Sequence, residues 1–260
     1  MSAERPHAGK HVIVTGAGTG IGHAIAARFA RDGARLSLFA RDGARVAQSA
    51  RELGGAAAAH TASLDIRDRD AVSRAFAAAV AKHGPIHALV ANAGIGGANE
   101  PGDQDRFDDL VATNLTGTYN CVRAAQQHLA AGPDARHLVI VSSILARIGV
   151  PGYTGYCASK AGLLGLSRAL AAELAGQNIQ VNAVCPGWVD TEMARDGLQG
   201  MATGMGITFE QAREMAMSAV PMRRMSEPED IAGLVAWLVS PDARGVTGQG
   251  LDMNGGAFMS

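Results

Sequence analysis

The sequence has few cysteines and no long apolar run, and each scarcity removes a class of protein. Its three cysteines, Cys121, Cys157 and Cys185, lie far apart and form no CxxC pair. Neither a disulfide framework nor a metal site is therefore predicted, and we expect small buried thiols. No run of about 18 apolar residues occurs, and the N-terminal MSAERPHAGK lacks the apolar segment of a signal peptide. These absences predict a cytoplasmic protein without a membrane partner.

Charge is also scarce. The formal net charge is −1 and 18% of residues are charged, so neither nucleic acid nor an anionic membrane is predicted as a partner. By contrast, 47% of the 260 residues are hydrophobic, and apolar runs and glycines are spread evenly along the chain. A chain of this length can bury a large core, and we predict a single domain over residues 1–260.

Short apolar runs, typical of buried strands, alternate with helical stretches. HVIVTG is followed by GIGHAIAARFARDGA, whose apolar residues recur at three- and four-residue spacing up to Gly33. Further strand-like runs are RLSLFA, AHTASLDI, IHALVANAG, RHLVIVSS and IQVNAVCPG. This alternation predicts an α/β fold, a doubly wound Rossmann-like parallel sheet with helices on both faces. Ligands of such folds bind beyond the carboxyl ends of the strands, so the residues just after each strand are the candidates for a site.

The first strand runs into TGAGTGIG, a glycine-rich turn at the start of a helix. Its glycines have the spacing GxxxGxG, not GxGxxG, and no Lys-Ser/Thr of a P-loop follows. Glycine is needed where a backbone turns tightly and approaches a pyrophosphate, whose charge the helix N-terminus stabilises. The turn therefore predicts a dinucleotide site that includes Gly16, Thr19, Gly20, Ile21 and Gly22.

The second strand ends in LFARD, which bears on the choice of cofactor. A carboxylate at this place accepts hydrogen bonds from both ribose hydroxyls of NAD, whereas an arginine favours the 2′-phosphate of NADP. Ala40 ends the strand and Arg41 follows it, so NADP (as NADPH) is the predicted cofactor. The alternative, in which Arg41 is an ordinary surface residue and Asp42 binds the ribose of NAD, stays open.

The ends of the third and fourth strands complete the predicted cofactor cleft. Asp65 in LDI is placed to accept a hydrogen bond from the adenine amino group, and Ile66 to pack on the ring. Asn92, Ala93 and Gly94 form the sequence NAG, where the backbone can pass close to the cofactor.

Two tyrosines lie in PGYTGYCASKAG, and only one of them has a lysine four residues later. Tyr156 and Lys160 have this spacing and share one face of a helix, whereas Tyr153 has no such lysine. A phenol with a pKa of about 10 is a poor base near neutral pH, but an adjacent ammonium favours the phenolate and lowers that pKa. Lysine is rare here, since only Lys10, Lys82 and Lys160 occur among 23 basic residues. Its presence indicates a need for a compact charge.

TGAGTGIG, NAG, YCASK, PGWVDT and a serine thirteen residues before Tyr156 together resemble the short-chain dehydrogenase/reductase family, over roughly residues 11–256. The resemblance implies a catalytic tetrad that moves a hydride between a nicotinamide and a carbonyl or alcohol carbon. Its members here are Asn114, Ser143, Tyr156 and Lys160. The family spacing selects Ser143 over its neighbour Ser142 as the donor to the substrate oxygen. Asn114 would hold, through its backbone, a water that connects Lys160 to solvent.

The family pattern also assigns the segment PGWVDT to the nicotinamide. Pro186 and Gly187 would bend the chain around the ring, Val189 would lie beside it, and Thr191 would bind its carboxamide.

These features predict an NADPH-dependent ketoreductase of a 3-oxoacyl, polyketide-like or other apolar ketone, with Tyr156 as general acid. The alternative is an NAD-dependent dehydrogenase that oxidises a secondary alcohol or a hydroxyacyl thioester. A cofactor-sensing regulator should have lost part of the tetrad, which is complete here. Two departures from related reductases occur: Ile95 replaces a proline before a double glycine, and Ala172 replaces an arginine before Glu173. The second argues against docking of a carrier protein.

A segment rich in glycine and methionine, at about residues 191–221, is predicted to be a lid over the substrate. Its methionines either line an apolar pocket or pack the lid on its own core. The predicted substrate contacts are Ser143, Leu145, Tyr153, Tyr156 and Met193. Small residues on the helix after Tyr156 and the strand-like GQGLDMNGG resemble the contacts through which family members assemble, so we expect a homotetramer, with a homodimer as the alternative.

Overall fold

Seven parallel strands form one sheet in the part of the chain that the structure, a computed structural model, describes: residues 5–54 and 59–259. The strand order is β3-β2-β1-β4-β5-β6-β7, so the direction of winding reverses between β1 and β4. A doubly wound sheet opens a cleft at such a reversal. The strands are β1 His11–Thr15, β2 Arg35–Ala40, β3 Ala59–Ser63, β4 Ala88–Ala91, β5 Arg136–Val141, β6 Ile179–Pro186 and β7 Gly250–Met253.

Helices cover both faces of the sheet. One face packs against α3, α5 and α6, and the other against α1, α2 and α9. The short helix α4 continues through a π-helical turn, Ala112–Gly117, into α5. The helices are α1 Gly20–Arg31, α2 Gly43–Glu52, α3 Arg69–His83, α4 Phe107–Val111, α5 Thr118–Gln126, α6 Thr154–Leu174, α7 Glu192–Met205, α8 Phe209–Ser218 and α9 Pro228–Leu238. The predicted doubly wound α/β fold is confirmed.

The two-sided cover explains why the central strands consist of apolar runs. Every residue of β1, β4, β5 and β6 is buried, as expected for parallel strands between two helical layers. Phe29, Phe39 and Phe76 are fully buried and fill the space between sheet and helices. Cys121 and Cys185 are buried as expected, but Cys157 is partly exposed. No helix within the described ranges is both long enough and apolar enough to span a membrane.

The segment predicted as a lid folds into two helices, α7 and α8, that have a small core of their own. Met217 belongs to this core, together with Leu198, Val220 and Met225. Met193, Met205 and Met215 are instead exposed. Packing on the lid's own core therefore holds for Met217, and a pocket lined by the exposed methionines stays a prediction.

The small-residue face of α6 is mostly open. Gly162 is the exception, because a Cβ there would meet Leu115 of the same chain at 2.8 Å. The exposed residues are Ala158, Ala161, Gly165, Ala169 and Ala172. This face is free in the single chain, and the expected assembly stays a prediction.

Candidate active site

The glycine-rich turn packs directly on the start of α1 and on the end of β4. Gly16 has a φ of 68°, and a Cβ there would meet the Cα of Ala93 at 2.8 Å. A Cβ on Gly22 would collide with the carbonyl oxygen of Gly16. Both positions need glycine because a side chain would push turn, strand and helix apart.

The N-terminus of α1 is open to an anion. Thr19 is its exposed N-cap residue, and within the described structure its side chain forms no capping hydrogen bond. The first turn contains no acidic residue. Unpaired N–H groups and the positive end of the helix dipole suit a phosphate. Across the opening stands Thr191, whose Cγ2 would lie 3.1 Å from a Cβ on Gly20. The turn and helix therefore fit the pyrophosphate of a dinucleotide.

Asn92 supports this turn and does not offer its amide to the cleft. Its Nδ2 donates to the carbonyl oxygens of Thr15 at 3.1 Å and Gly16 at 3.2 Å. Its backbone N–H donates to the Thr15 hydroxyl at 3.1 Å. Asn92 thus contributes to a cofactor site through the backbone that it fixes.

A cavity beside the turn collects the ends of β1 to β4, as predicted. At the end of β2, Asp42 is the N-cap of α2, and its Oδ1 accepts a hydrogen bond from the Arg45 N–H at 3.0 Å. The Arg41 side chain forms neither a hydrogen bond nor an ion pair with any residue that the structure describes. The arginine is therefore freer than the carboxylate to meet a ligand. The residues that line the cavity are Gly16, Phe39, Ala40, Arg41, Leu64, Asp65, Ile66, Ala93, Gly94, Ile95 and Thr113.

Asp65 and Ile66 line this cavity but also have partners within the protein. Arg67 donates from Nη2 to Asp65 Oδ2 at 2.6 Å, and this bond holds the pKa of Asp65 below its ordinary value. Asp65 is thus an ionised acceptor that a ligand would share with Arg67. Ile66 packs beneath the π-helical turn, because a Cβ on Gly117 would meet its Cγ1 at 2.6 Å.

Ser143 and Tyr156 meet at the carboxyl end of β5. Ser143 lies two residues beyond the end of β5, and its Oγ accepts from the Leu145 N–H at 3.1 Å. Burial raises the pKa of Tyr156, and the adjacent Ser143 hydroxyl opposes this rise as a hydrogen-bond partner. Ser142 instead donates to the Lys160 carbonyl at 2.8 Å and so helps to hold α6. The structure therefore brings Ser143 and Tyr156 together, and their catalytic role stays a prediction.

Lys160 lies beneath Tyr156 and is 5% exposed. Its Nζ donates to the Val141 carbonyl at 3.0 Å and is 5.7 Å from the centroid of the Tyr156 ring. Burial lowers the pKa of Lys160 to about 8. The structure thus corrects the expected lowering of the Tyr156 pKa. Because burial disfavours both the ammonium and the phenolate, Tyr156 keeps its proton near neutral pH.

Asn114 lies in the π-helical turn, and its side chain joins the loop after β4 to α6. Its Oδ1 accepts from the Ile95 N–H at 2.8 Å, and its Nδ2 donates to the Ile95 carbonyl at 3.0 Å and to Ser159 Oγ at 3.1 Å. A Cβ on Gly94 would meet Asn114 Oδ1 at 3.0 Å and Lys160 Nζ at 3.4 Å. The predicted tetrad and the predicted cofactor cleft therefore meet at Gly94.

Comparison with known proteins decides the family. A family model described as Enoyl-(Acyl carrier protein) reductase matches residues 16–257. The chain belongs to the short-chain dehydrogenase/reductase family. One similar relative is the 3-oxoacyl-[acyl-carrier-protein] reductase of Mycobacterium tuberculosis, 31% identical over 259 residues, or 99% of this chain and 96% of that protein. The 3-oxoacyl-[acyl-carrier-protein] reductase of Thermotoga maritima is 34% identical over 251 residues, covering 95% and 97%.

A solved structure of the family is equally similar. Actinorhodin polyketide ketoreductase, crystallised as a variant with NADPH, has a TM-score of 0.88 and 32% identity, and the match covers 95% of this chain and 97% of that one. These relatives are named as reductases. This short-chain dehydrogenase/reductase is accordingly an oxidoreductase that uses a nicotinamide cofactor.

On the substrate side of this short-chain dehydrogenase/reductase, the lid touches the loop after β4. A Cβ on Gly96 would meet Met193 Sδ at 3.1 Å. Leu145 lies in the turn after Ser143, and Tyr153 is the N-cap residue of α6; both are partly exposed. Leu145 and Tyr153 thus lie next to the Ser143–Tyr156 pair and Met193 lies against Gly96, and their contacts with a substrate stay predictions.

Two features of the site in this family member have no signal in the sequence. Arg45 Nη1 donates to Glu192 Oε2 at 2.6 Å, which joins the start of α2 to the first residue of the lid. Asn99, in the loop after β4, is buried among polar groups. Neither residue belongs to a motif, and their partners come from other elements of the fold.

Proposed function

We propose that this short-chain dehydrogenase/reductase is an NADPH-dependent ketoreductase of 3-oxoacyl or similar apolar ketones. The observation that carries the proposal is the pair of neighbouring hydroxyls, Ser143 and Tyr156, in which burial keeps the phenol protonated. A carbonyl oxygen can accept a hydrogen bond from both hydroxyls, and the phenol can transfer its proton.

Each residue of the tetrad has a separate task in the proposed reaction. The nicotinamide, when bound, supplies a hydride for the carbonyl carbon. Tyr156 donates its proton to the substrate oxygen, while Ser143 donates a hydrogen bond to the same atom. Lys160 holds a proton that can be replaced near neutral pH, because its pKa is about 8. The π-helical turn at Asn114 interrupts regular α-helical pairing and so leaves a backbone carbonyl for a water.

The preference for NADPH follows from the end of β2. Asp42 is engaged in capping α2, whereas Arg41 lines the cavity with its guanidinium available to a 2′-phosphate. The relative crystallised with NADPH supports the same choice. The alternative, an NAD-dependent alcohol dehydrogenase, requires Asp42 to accept from the ribose while it also caps α2 and lies 3.5 Å from Arg45 Nε.

The names of the relatives support a 3-oxoacyl substrate, whereas the family model's description names enoyl reduction. Enoyl reduction saturates a C=C bond. Two hydroxyls directed at one oxygen favour the carbonyl, and the exposed Met193 and partly exposed Leu145 favour an apolar chain beside it. The homotetrameric state and the cytoplasmic location stay predictions from the sequence.

The test is turnover of acetoacetyl and crotonyl thioesters with NADPH, followed by the absorbance of the reduced nicotinamide. The wild type should reduce the 3-oxo substrate in preference to the 2-enoyl one. Tyr156→Phe should lose at least about 100-fold in kcat and keep its NADPH affinity. Tyr119→Phe, on α5 beside Arg123, is the matched control and should keep wild-type turnover. Persistent turnover in Tyr156→Phe, or faster reduction of the enoyl substrate, would contradict the proposal.

Cofactor preference is tested by titration calorimetry with NADPH and NADH. Arg41→Ala should weaken NADPH binding by roughly 10- to 100-fold, since a charge-assisted bond to the 2′-phosphate is lost, and leave NADH binding unchanged. Arg51→Ala serves as the control, because Arg51 is an exposed arginine in the last turn of α2, whereas Arg41 lies just before the start of that helix. Tighter binding of NADH by the wild type, with no effect of Arg41→Ala, would favour the NAD-dependent alternative.

A further inference from the structure

Asn99 lies in the loop between β4 and α4, yet it is only 6% exposed. Its Nδ2 donates to Asp105 Oδ1 and to Thr154 Oγ1, both at 3.0 Å. Its Oδ1 accepts from the Gly155 N–H at 2.8 Å. A buried amide that satisfies three partners is held in one orientation, because any rotation leaves a polar group unpaired.

The first turn of α6 depends on this amide. The N-cap residue of α6, Tyr153, forms no side-chain capping bond in the described structure. Asn99 supplies the missing acceptor, from another loop, to the residue just before Tyr156. The turn packs closely on α4 and on Asn99, since a Cβ on Gly155 would meet the Cα of Phe107 at 3.0 Å and Asn99 Oδ1 at 3.3 Å.

The same amide reaches the start of α4. Asp105 Oδ1, which accepts from Asn99, also accepts from the N–H of Phe107, the first residue of α4, at 3.0 Å. Because α4 continues into the π-helical turn, this helix start leads directly to Asn114. Asn99 therefore ties the helix that carries Tyr156 and Lys160 to the helix that carries Asn114.

We propose that Asn99 is a positioning residue of the tetrad, which sets Tyr156 relative to Asn114 by joining the starts of α6 and α4. The inference rests on the proposed function, in which Tyr156 is the proton donor. A displacement of about 1 Å in a reacting group can lower the rate about 100-fold. Loss of the amide should therefore act on kcat, and not on NADPH binding at the glycine-rich turn.

Three variants test this role in the 3-oxo reductase assay. Asn99→Ala should lower kcat about 10- to 100-fold, with KM and NADPH affinity changed little. Asn99→Asp keeps the acceptor for Gly155 but places a second carboxylate against Asp105. Its kcat relative to wild type should rise as the pH falls and one carboxylate takes up a proton. The exchange Asn99→Asp with Asp105→Asn restores a donor opposite an acceptor, and should recover most of the lost kcat.

The control is Asn182→Ala, which removes another buried amide. Asn182, on β6, donates to the Val246 carbonyl at 2.8 Å and accepts from the Gln249 N–H at 3.1 Å, so its hydrogen-bond partners lie just before β7 and not in α6 or α4. Its loss should lower Tm and leave kcat unchanged. Wild-type kcat in Asn99→Ala, an exchange variant no more active than Asn99→Asp, or an equal kcat loss in Asn182→Ala would overturn the positioning role. Turnover retained in Tyr156→Phe would overturn the proposed function itself.

Discussion

Lowering the pH from 8 to 5 is expected to destabilise this fold by about 4 kcal/mol, because His11 and His137 are buried near the amino ends of β1 and β5. His11 Nδ1 lies 2.7 Å from the Gly84 carbonyl oxygen, and its Nε2 lies 2.9 Å from Ser37 Oγ. Burial lowers the pKa of His11 to about 4 against the opposing effect of the Gly84 carbonyl. The nearby cationic or titratable groups, which lower it further, are His83, Arg35 and His87.

His137 is enclosed in a similar way. It is 4% exposed, and its Nδ1 has no hydrogen-bond partner among the described residues. Burial lowers its pKa to about 4, and the Leu238 carbonyl only partly opposes this. The groups that lower the pKa further are Lys10, His7 and Arg136. A charged imidazolium inside the fold is therefore unfavourable at this position as well.

The magnitude follows from the two pKa values of each ring. An unfolded chain has the ordinary histidine pKa of about 6.5. Because the folded-state pKa is lower, the unfolded state binds the proton first as the pH falls. The stabilisation that each neutral ring gives the folded state is therefore complete above about pH 7.5, and it is lost as the pH falls through 6.5 towards 4. At pH 5 each ring has lost about 2 kcal/mol, and two rings about 4, of a total stability that is typically about 5–15 kcal/mol.

Urea unfolding at pH 8 and pH 5, followed by circular dichroism, measures this loss. His137→Leu removes one titrating ring and should reduce the difference in unfolding free energy between the two pH values by about 2 kcal/mol. Gln180 is the register partner of His137 on β6 and is also buried. Gln180→Leu, which removes no titrating group, should lower the stability equally at both pH values. The same pH difference in wild type and His137→Leu would refute the reasoning.

Two further predictions concern the active site. Gly22→Ala should abolish NADPH binding in calorimetry, because its Cβ would collide with the Gly16 carbonyl. The control Gly200→Ala, at an exposed position with open space, should retain NADPH binding. NADPH binding by Gly22→Ala would show that the turn can widen. The kcat/KM of ketone reduction should fall above pH 8, where Lys160 loses its proton. The rate of oxidation of the corresponding alcohol should rise with pH, because the pH then approaches the raised pKa of Tyr156. A reduction profile that stays flat through pH 8 to 9 would remove Lys160 from the proton path.

The sheet and the cofactor cleft could be predicted because both depend on local sequence. A parallel strand covered on both faces is typically a short apolar run, and β4 and the Leu138–Val141 part of β5 are such runs. Neighbouring parallel strands end at the same edge of a sheet, so the residues just after them are brought together regardless of the length or conformation of the connecting segments. Arg41, Asp65 and Gly94 meet around one cavity for this reason.

The electrostatics of the site could not be predicted, because they depend on what surrounds each group. The spacing of Tyr156 and Lys160 fixes a common helix face, but not the direction of the ammonium or the access of water. In the structure Lys160 Nζ donates to Val141 of β5, and Lys160 is buried whereas Tyr156 is partly buried. Burial therefore outweighs the hydrogen bond from Ser143, and the pKa of Tyr156 rises where the sequence predicts a fall.

The hydrogen bonds that support the site could not be predicted either, and they share a chemical reason. Asn92, Asn114 and Asn99 each hold backbone or side-chain groups of an irregular segment, namely the glycine-rich turn, the loop after β4 and the two helix starts. Such segments leave N–H and C=O groups without regular partners, and each buried one must be satisfied. An amide donates and accepts at once, whereas a carboxylate only accepts. Asparagine therefore recurs where two irregular segments meet. Its partner belongs to a different segment of the chain, so the sequence around the asparagine does not predict which residue it will bind.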